Sequence, residues 1–479
     1  MKRTVLVFSF LSLAMLILAI VLVKYKKEET VDAENDNQKL LCERRIDEIE
    51  EIRISNKYNT YSVNQIEGGF AIADLPMELV FPDYLLMLLD EAARVEYSQL
   101  VSRLEKNADD SRLPFGLDNP ECTVVISYTK GEPLTLVFGN EEPVSRGRYF
   151  TAEGTDAVYL MDRSRVVRFL QPIERFINME IVPSRSVNSP LSTIKKLTLS
   201  GRSFPRPVAI NAIDLDNEEE VREALGFGST THVITSPHLH KIDQGEAIDV
   251  FASLSGLLNI DVLNYKASDA ELGEYGLSDP LVKAEYDYLK GDGSSPVTIT
   301  LKTALYKGDY VLVRDDQRVV HRVEKKPFIT TSYEKLVSRW FLTPFITDVR
   351  SIDLRFGDKG CRFELLGEDN RSLEATLNGV KLDTGLFRKF YNLLVSASGD
   401  GLLLETPPES LGPPVLAVTF FYRDPLKESD LMIFSPGSLR RHFVTVNGVT
   451  EFACLQRYAQ TVEAALAELE RGEDFMADW

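Results

Sequence analysis

GRYFTAEG at residues 147–154 returns as GDYVLVRD at 308–315 and as RHFVTVNG at 441–448. Each copy follows a turn marked by Gly, Leu and Pro, reading FGLDNP around Leu117, YGLSDP around Leu277 and SLGPP around Leu411. Leu117 lies 32 positions before Tyr149, Leu277 33 before Tyr310, and Leu411 32 before Phe443. Self-similarity at a fixed interval signals a repeated architecture, and it governs the reading of every local pattern. The residues that define the repeat are Gly116, Leu117, Pro120 and Tyr149, then Gly276, Leu277, Pro280 and Tyr310, then Leu411 and Phe443.

Working outward, each copy opens on a similar strand: IEEIRI (49–54), IKKLTL (194–199) and VRSIDL (349–354). Alternation at the end of each predicts one buried face. A second strand is expected at GGFAIADL (68–75) and at SLEATLNG (372–379). An amphipathic helix follows. Its apolar stripe is Leu85, Leu88, Leu89 and Ala92 in YLLMLLDEAARVEYSQLV, Val250, Leu254 and Leu257 in GEAIDVFASLSGLLNI, and Phe387, Phe390 and Leu394 in GLFRKFYNLLVSA. Spacing near 3.6 residues lays each helix on a sheet. After the turn come strand pairs (TVVISY with LTLVFG, KAEYDY with VTITLK, LAVTFFY with DLMIFS), the hairpin, and a closing helix in SRVVRFLQPIERFI, TTSYEKLVSRWF and QRYAQTVEAALAEL.

The order strand-strand-helix-four strands-helix predicts an α+β fold of three repeated modules, each a mostly antiparallel sheet with amphipathic helices. The expected modules are residues 44–183, 190–346 and 347–475, divided at IVPSRSVNSP and TPFITD. The second is stretched by an insert at about 205–240, the part least like the repeat and so a candidate for a special contact.

The 479 residues carry a formal charge of −19. Residues 1–27 hold five basic residues and no acid, which leaves −24 on the remainder. Such a surface repels phosphate backbones and argues against nucleic acid as a partner. Cys42, Cys122, Cys361 and Cys454 are scattered, with no CxxC or metal-ligand spacing, and read as small buried hydrophobes. Thr4 to Val23 is a run of 20 uncharged residues. At about 1.5 Å per residue it spans about 30 Å, the depth of a bilayer core. No small-residue cleavage pattern follows, so the reading is a single-pass transmembrane signal anchor. Residues 4–23 then contact the lipid bilayer, residues 24–43 form a tether, and the long soluble remainder fits export.

His232, His238 and His240 crowd into THVITSPHLHK. On an extended segment His238 and His240 share a face, as a transition-metal pair would. No acidic or Cys ligand stands at a recognised spacing, so exposed loop histidines are expected. The acidic run DLDNEEE (214–220) lacks the EF-hand spacing and its glycine, and reads as a helix start with Asn217 as N-cap. His321 falls where Tyr159 and Phe452 stand in the other copies, a packing position. His442 aligns with Arg148 and Asp309, a variety that suits an exposed place. GxSxG, HExxH, Walker A and paired-glycine dinucleotide patterns are all missing. The sequence therefore assigns no catalytic, cofactor-binding or metal residue.

An N-terminal anchor followed by (Y/F)GL(D/S)xP turns and G-x-Y hairpins resembles a bacterial family catalogued as domain of unknown function 4340. FGLDNP with GRYFTAEG, and YGLSDP with GDYVLVRD, carry the resemblance over most of residues 1–345. It implies one N-terminal membrane helix and a chain lying largely outside the cytoplasm. It also implies partners among ABC transporter subunits of the gliding-motility type, a permease and an auxiliary substrate-binding-like protein. The family has no established catalytic residues to carry over. The expectation is a non-catalytic accessory or binding component of an ABC-type transport system, anchored in the bacterial cytoplasmic membrane. Two alternatives come from other classes. One is a cell-envelope protein that binds or processes a glycan or other polymer, which as an enzyme needs an open cleft with two convergent carboxylates. The other is a structural envelope spacer.

Overall fold

The computed structural model describes residues 38–479 apart from 105–111, 145, 185–189, 289–295, 368, 401–409 and 438–439. The apolar run at 4–23 and most of the expected tether lie outside the described residues. No described helix is long and apolar enough to cross a membrane. The chain divides into two compact units, residues 1–179 and 180–479.

The first unit runs β1 (Lys39–Glu43), β2 (Ile49–Asn56), β3 (Thr60–Ile66), β4 (Gly69–Ile72), α1 (Pro82–Ala93), β5 (Arg94–Tyr97), β6 (Gln99–Arg103), β7 (Cys122–Tyr128), β8 (Leu134–Glu141), β9 (Gly147–Ala152), β10 (Ala157–Asp162) and α2 (Arg163–Leu170). Eight of these strands form one sheet in the order β4-β3-β2-β7-β8-β9-β10-β6. Ile49, Ile52 and Ile54 of β2 are buried, as the alternation predicts. Leu85, Leu88, Leu89 and Ala92 of α1 are buried too. The helix is shorter than its sequence pattern. It stops at Ala93 because Arg94–Tyr97 pair with Lys39–Glu43 as a ladder. That pairing also turns the end of the expected tether into a strand. A further strand, β3, lies between the two expected ones, so with β1 four strands precede the helix rather than two.

The second unit runs β11 (Glu180–Val182), β12 (Ile194–Gly201), β13 (Phe204–Ala212), α3 (Glu218–Ala224), β14 (His232–Ser236), β15 (His240–Lys241), α4 (Gln244–Ser253), β16 (Leu257–Leu258), β17 (Asp261–Asn264), α5 (Asp269–Glu274), β18 (Val282–Tyr288), β19 (Val297–Tyr306), β20 (Asp309–Arg314), β21 (Val320–Val323), α6 (Pro327–Thr330) and α7 (Tyr333–Leu336). It continues through β22 (Val349–Phe356), β23 (Lys359–Leu366), β24 (Glu374–Leu377), β25 (Val380–Lys381), α8 (Thr384–Val395), β26 (Leu416–Tyr422), β27 (Asp430–Pro436), β28 (Arg441–Val446), β29 (Val449–Leu455) and α9 (Gln456–Glu470). Two large sheets result, β15-β14-β13-β12-β18-β19-β20-β21-β17 and β25-β24-β23-β22-β26-β27-β28-β29. Every described ladder in the two units is antiparallel, for example β12 with β18 and β22 with β26.

The three large sheets share one plan, in which the opening strand lies at the centre and pairs with the strand that follows the helix and turn. The register agrees in detail. Ile49, Ile194 and Val349 face Tyr128, Tyr288 and Tyr422, and each ladder slips just after that pair. From these tyrosines the ladders run Cys122–Phe138–Phe150, Val282–Thr303–Leu312 and Leu416–Phe434–Val444. Val311 therefore shares a place with Tyr149 and Phe443. Tyr310 stands one residue earlier, beside Arg148 and His442, and packs against the main core instead. Pairing Tyr310 with Tyr149 is thus out of register by one residue, and counted to Val311 the spacing from Leu277 is 34 rather than 32. Tyr159, His321 and Phe452 do fall at one ladder position, opposite Phe150, Leu312 and Val444.

Residues 205–240 are not an insert outside the sheet, because β13 and β14 occupy the second and third strand places there. The extra chain is α3 with its following turn, while β15 takes the outer strand place that β25 holds in the third sheet. Asn217 caps α3 by accepting from the Glu219 amide. The second and third sheets share one apolar core, with Phe251, Leu254, Phe341, Phe387, Phe390 and Phe434 all buried in it. Burial of one such side chain is worth about 1.5–3 kcal/mol. Strong apolar faces of this kind explain why α8 and α9 follow their sequence patterns closely.

Candidate functional site

A dense polar cluster lies where the second and third sheets meet. Glu451 comes from β29, at a point where the ladder slips. Val444 faces Phe452 and Thr445 faces Thr450, which leaves Glu451 as the extra residue of a bulge. A bulge re-aims a side chain that strict alternation would place elsewhere. His240 touches both neighbours, Phe452 through an edge-on ring contact at 5.1 Å and Glu451 through a hydrogen bond.

Four side chains of the second sheet and its helices converge on that carboxylate. His240 Nε2 lies 2.9 Å from Oε2, and the Tyr333 hydroxyl donates to the same oxygen at 2.8 Å. Arg206 Nη2 donates to Oε1 at 2.9 Å, and His238 Nε2 lies 3.7 Å from that oxygen. Each is placed by local structure. Alternation across the β14–β15 connection puts His238 and His240 on one side. Ser332 caps α7 and so fixes Tyr333 at its first turn. Arg206 on β13 also lies over the Tyr333 ring at 5.5 Å, a cation–π contact.

Glu451 is only 4% exposed and His240 5%. Burial opposes the charge on Glu451, but the donors His240, Tyr333 and Arg206 outweigh it and hold the carboxyl down at about 2. Burial, reinforced by the Glu451 charge, pushes the Tyr333 hydroxyl up. The carboxylate is thus permanently charged near neutrality, with both oxygens committed. It acts as an electrostatic lock between the two sheets. His238 and His240 do share a face, as the alternation predicts, and an acidic residue does meet them. Its lone pairs are spent on Tyr333 and Arg206, however, and no described group of three His, Cys, Asp or Glu is arranged to hold a metal.

The middle of the 205–240 stretch makes further contacts with the third sheet. Arg222 pairs with Asp424 at 3.0 Å. Asp430, 2% exposed, accepts from Asn447, Tyr422 and Lys427. Gly226 lies so close that an added Cβ would stand 2.2 Å from the Asp430 carboxylate. Gly228 has φ +59°, and an added Cβ there would meet the Thr343 carbonyl at 2.3 Å.

His232 is buried, not in an exposed loop. Its ring lies 3.1 Å from the Ile194 carbonyl and 3.0 Å from the Thr231 hydroxyl, and burial lowers its pKa. His442 is buried as well, because it shares the core-facing side of β28 with Val444. His321 is a packing residue, 2% exposed, with Asn259 at 3.1 Å and its pKa pushed down to about 4 by burial. Cys122 and Cys454 are buried, Cys42 and Cys361 half-buried, and all four are free thiols.

Of the repeat-defining residues, Gly116 and Gly276 have φ of +66° and +78°, a left-handed turn that favours glycine. Leu117 and Leu277 are buried behind those turns, whereas Leu411 is 36% exposed. Pro120 and Pro280 each stand two residues ahead of a strand, β7 and β18. Phe115 of the first turn packs edge-on against Tyr149 at 5.1 Å. Leu277 packs with Val311, Val313 and Val320. Nothing local in the sequence could have named Glu451, since it lies 211 residues from His240 and sits in a bulge.

Residues 83–231 match the family model described as Domain of unknown function (DUF4340). The matched stretch runs from α1 through β5–β10 and α2 of the first unit and ends just before β14 of the second. No curated protein and no solved structure matches the chain.

Proposed function

We propose, with the DUF4340 match over residues 83–231 as the premise, that this chain is a membrane-anchored, extracytoplasmic binding component of an ABC-type transport system. Three features support the reading. The uncharged run from Thr4 to Val23 suits an anchor. The three sheets repeat one plan, as scaffolds built for display do. The observation that carries it is the Glu451 lock. A convergence of five ionisable groups fixes two sheets into one body, with the carboxylate charge held rather than offered for proton transfer. A fixed body near the bilayer can present its surfaces to a permease.

The test is co-purification of the full chain from its own cells in mild detergent, followed by mass spectrometry. Stoichiometric permease and ATPase subunits are expected. A chain recovered free of transporter subunits, from cells that express them, overturns the proposal.

A further inference from the structure

The repeat makes each sheet a reference for the others. On the face turned away from the shared core, the central strands of the second sheet carry Lys283, Glu285, Thr300 and Lys302, with Lys283 facing Lys302 and Glu285 facing Thr300. Lys283–Glu285 at 3.0 Å and Lys302–Asp315 at 2.8 Å make that face a solvated, ion-paired surface. The same ladder places in the third sheet hold Ala417 facing Ile433 and Thr419 facing Leu431. Phe421 stands where the second sheet has Asp287, counting back one residue from Tyr422 and Tyr288. Three charged places have become Ala, Thr and Phe, and a fourth has become Ile.

These side chains are half-buried, and the Arg362 guanidinium lies over the Phe421 ring at 5.3 Å. In the second sheet, by contrast, Ala267 and Leu277 pack on Val311, Val313 and Val320 of this face. A groove of about 500 Å³ runs along the strip, walled by Pro413, Pro414 and the β22–β23 turn. A contiguous apolar face rimmed by polar groups marks a docking surface.

The rim identifies the occupant. Arg355 and Asp358 sit on one hairpin, three residues apart, and both line the groove. Asp353 is engaged by Arg362 at 3.2 Å. Arg355 and Asp358 have no ion-pair or side-chain hydrogen-bond partner among the described residues. An apolar strip flanked by one free cation and one free anion is complementary to itself. A two-fold axis would bring each Arg355 to the other copy's Asp358, as isologous interfaces require.

We propose that this face is a self-association surface. Two copies of the chain pack their third sheets face to face about a two-fold axis, strip against strip, with two symmetric Arg355–Asp358 pairs at the rim. Sheet-on-sheet packing at about 10 Å is an ordinary solution for two apolar sheet faces. The inference stands independently of any transporter partner.

Sedimentation of the full chain in density-matched detergent tests it. The wild type is expected to dimerise, and Ile433→Asp to sediment as a monomer. Arg355→Glu alone, or Asp358→Lys alone, turns two attractions into two repulsions and is expected to weaken the dimer by on the order of tenfold or more. Mixing the two single variants restores both pairs, so heterodimers should form as tightly as the wild type. A monomeric wild type overturns the proposal. So does a mixture of single variants that remains as weak as each alone. Should Ile433→Asp fail to fold, the charge-swap mixture decides.

Discussion

Replacing Glu451 with Gln keeps the shape of the side chain and removes its charge. In the folded protein the carboxyl titrates at about 2, against an ordinary value of 4.5. At about 1.4 kcal/mol for each pH unit between the two, its charge contributes roughly 3 kcal/mol. The sign follows from the direction. The folded value is depressed, so the contribution is complete above pH 4.5, falls as the pH drops, and vanishes near 2. Glu451→Gln should therefore cost roughly 3 kcal/mol at pH 7, about half of that at pH 3, and little at pH 2. Urea unfolding followed by tryptophan fluorescence measures it cleanly. Both tryptophans, Trp340 and Trp479, belong to the second unit, so their emission reports that unit alone. A cost below about 1 kcal/mol at pH 7, or a cost equal at pH 7 and pH 3, refutes the lock.

His321 should behave with the opposite charge logic. Its folded pKa of about 4 lies below the ordinary 6.5, so the unfolded chain takes up the proton first and stability drains away as the pH falls from 6.5 to 4. His321→Phe, which copies Phe452 at the same ladder place, should flatten that acid slope in the same unfolding assay. Gly228→Ala forces a left-handed backbone and a Cβ onto the Thr343 carbonyl, and should destabilise the second unit by about 3 kcal/mol or more. Gly308→Ala, where φ is +93° but nothing lies within 4 Å, should cost only about 1 kcal/mol. Cys122 and Cys454, each pushed up to about 12 by burial, should resist a thiol-disulfide reagent at pH 8 until urea opens the chain. Rapid reaction of all four thiols in the native protein would contradict their placement.

Periodicity read the regular elements well where one face was strongly apolar. The stripe Phe387, Phe390 and Leu394 forecast α8, and the alternation in VRSIDL forecast the central strand β22. It failed where long-range pairing competed with helix propensity. The pattern after Leu85 continues helically past Ala93, but a strand from residues 39–43 claims Arg94–Tyr97. The strands β3 and β23 were missed because their exposed faces are polar enough to read as loop. Burial of His232 and His442 was missed for a related reason. A histidine's own sequence neighbours do not say whether a second layer will cover it.

Repetition of the chain alone determined that one sheet plan would recur, since each copy carries the same alternation and the first two carry the same left-handed glycine turn. The tertiary structure decided how the copies are used. It joined the second and third sheets over one core and left the first as a separate unit. It also put Glu451 into a bulge opposite His240, Tyr333 and Arg206. A strand's periodicity is written in adjacent residues, so it can be read from them. The cost of burying a charge depends on which donors arrive from hundreds of residues away, and only the folded chain brings those donors together.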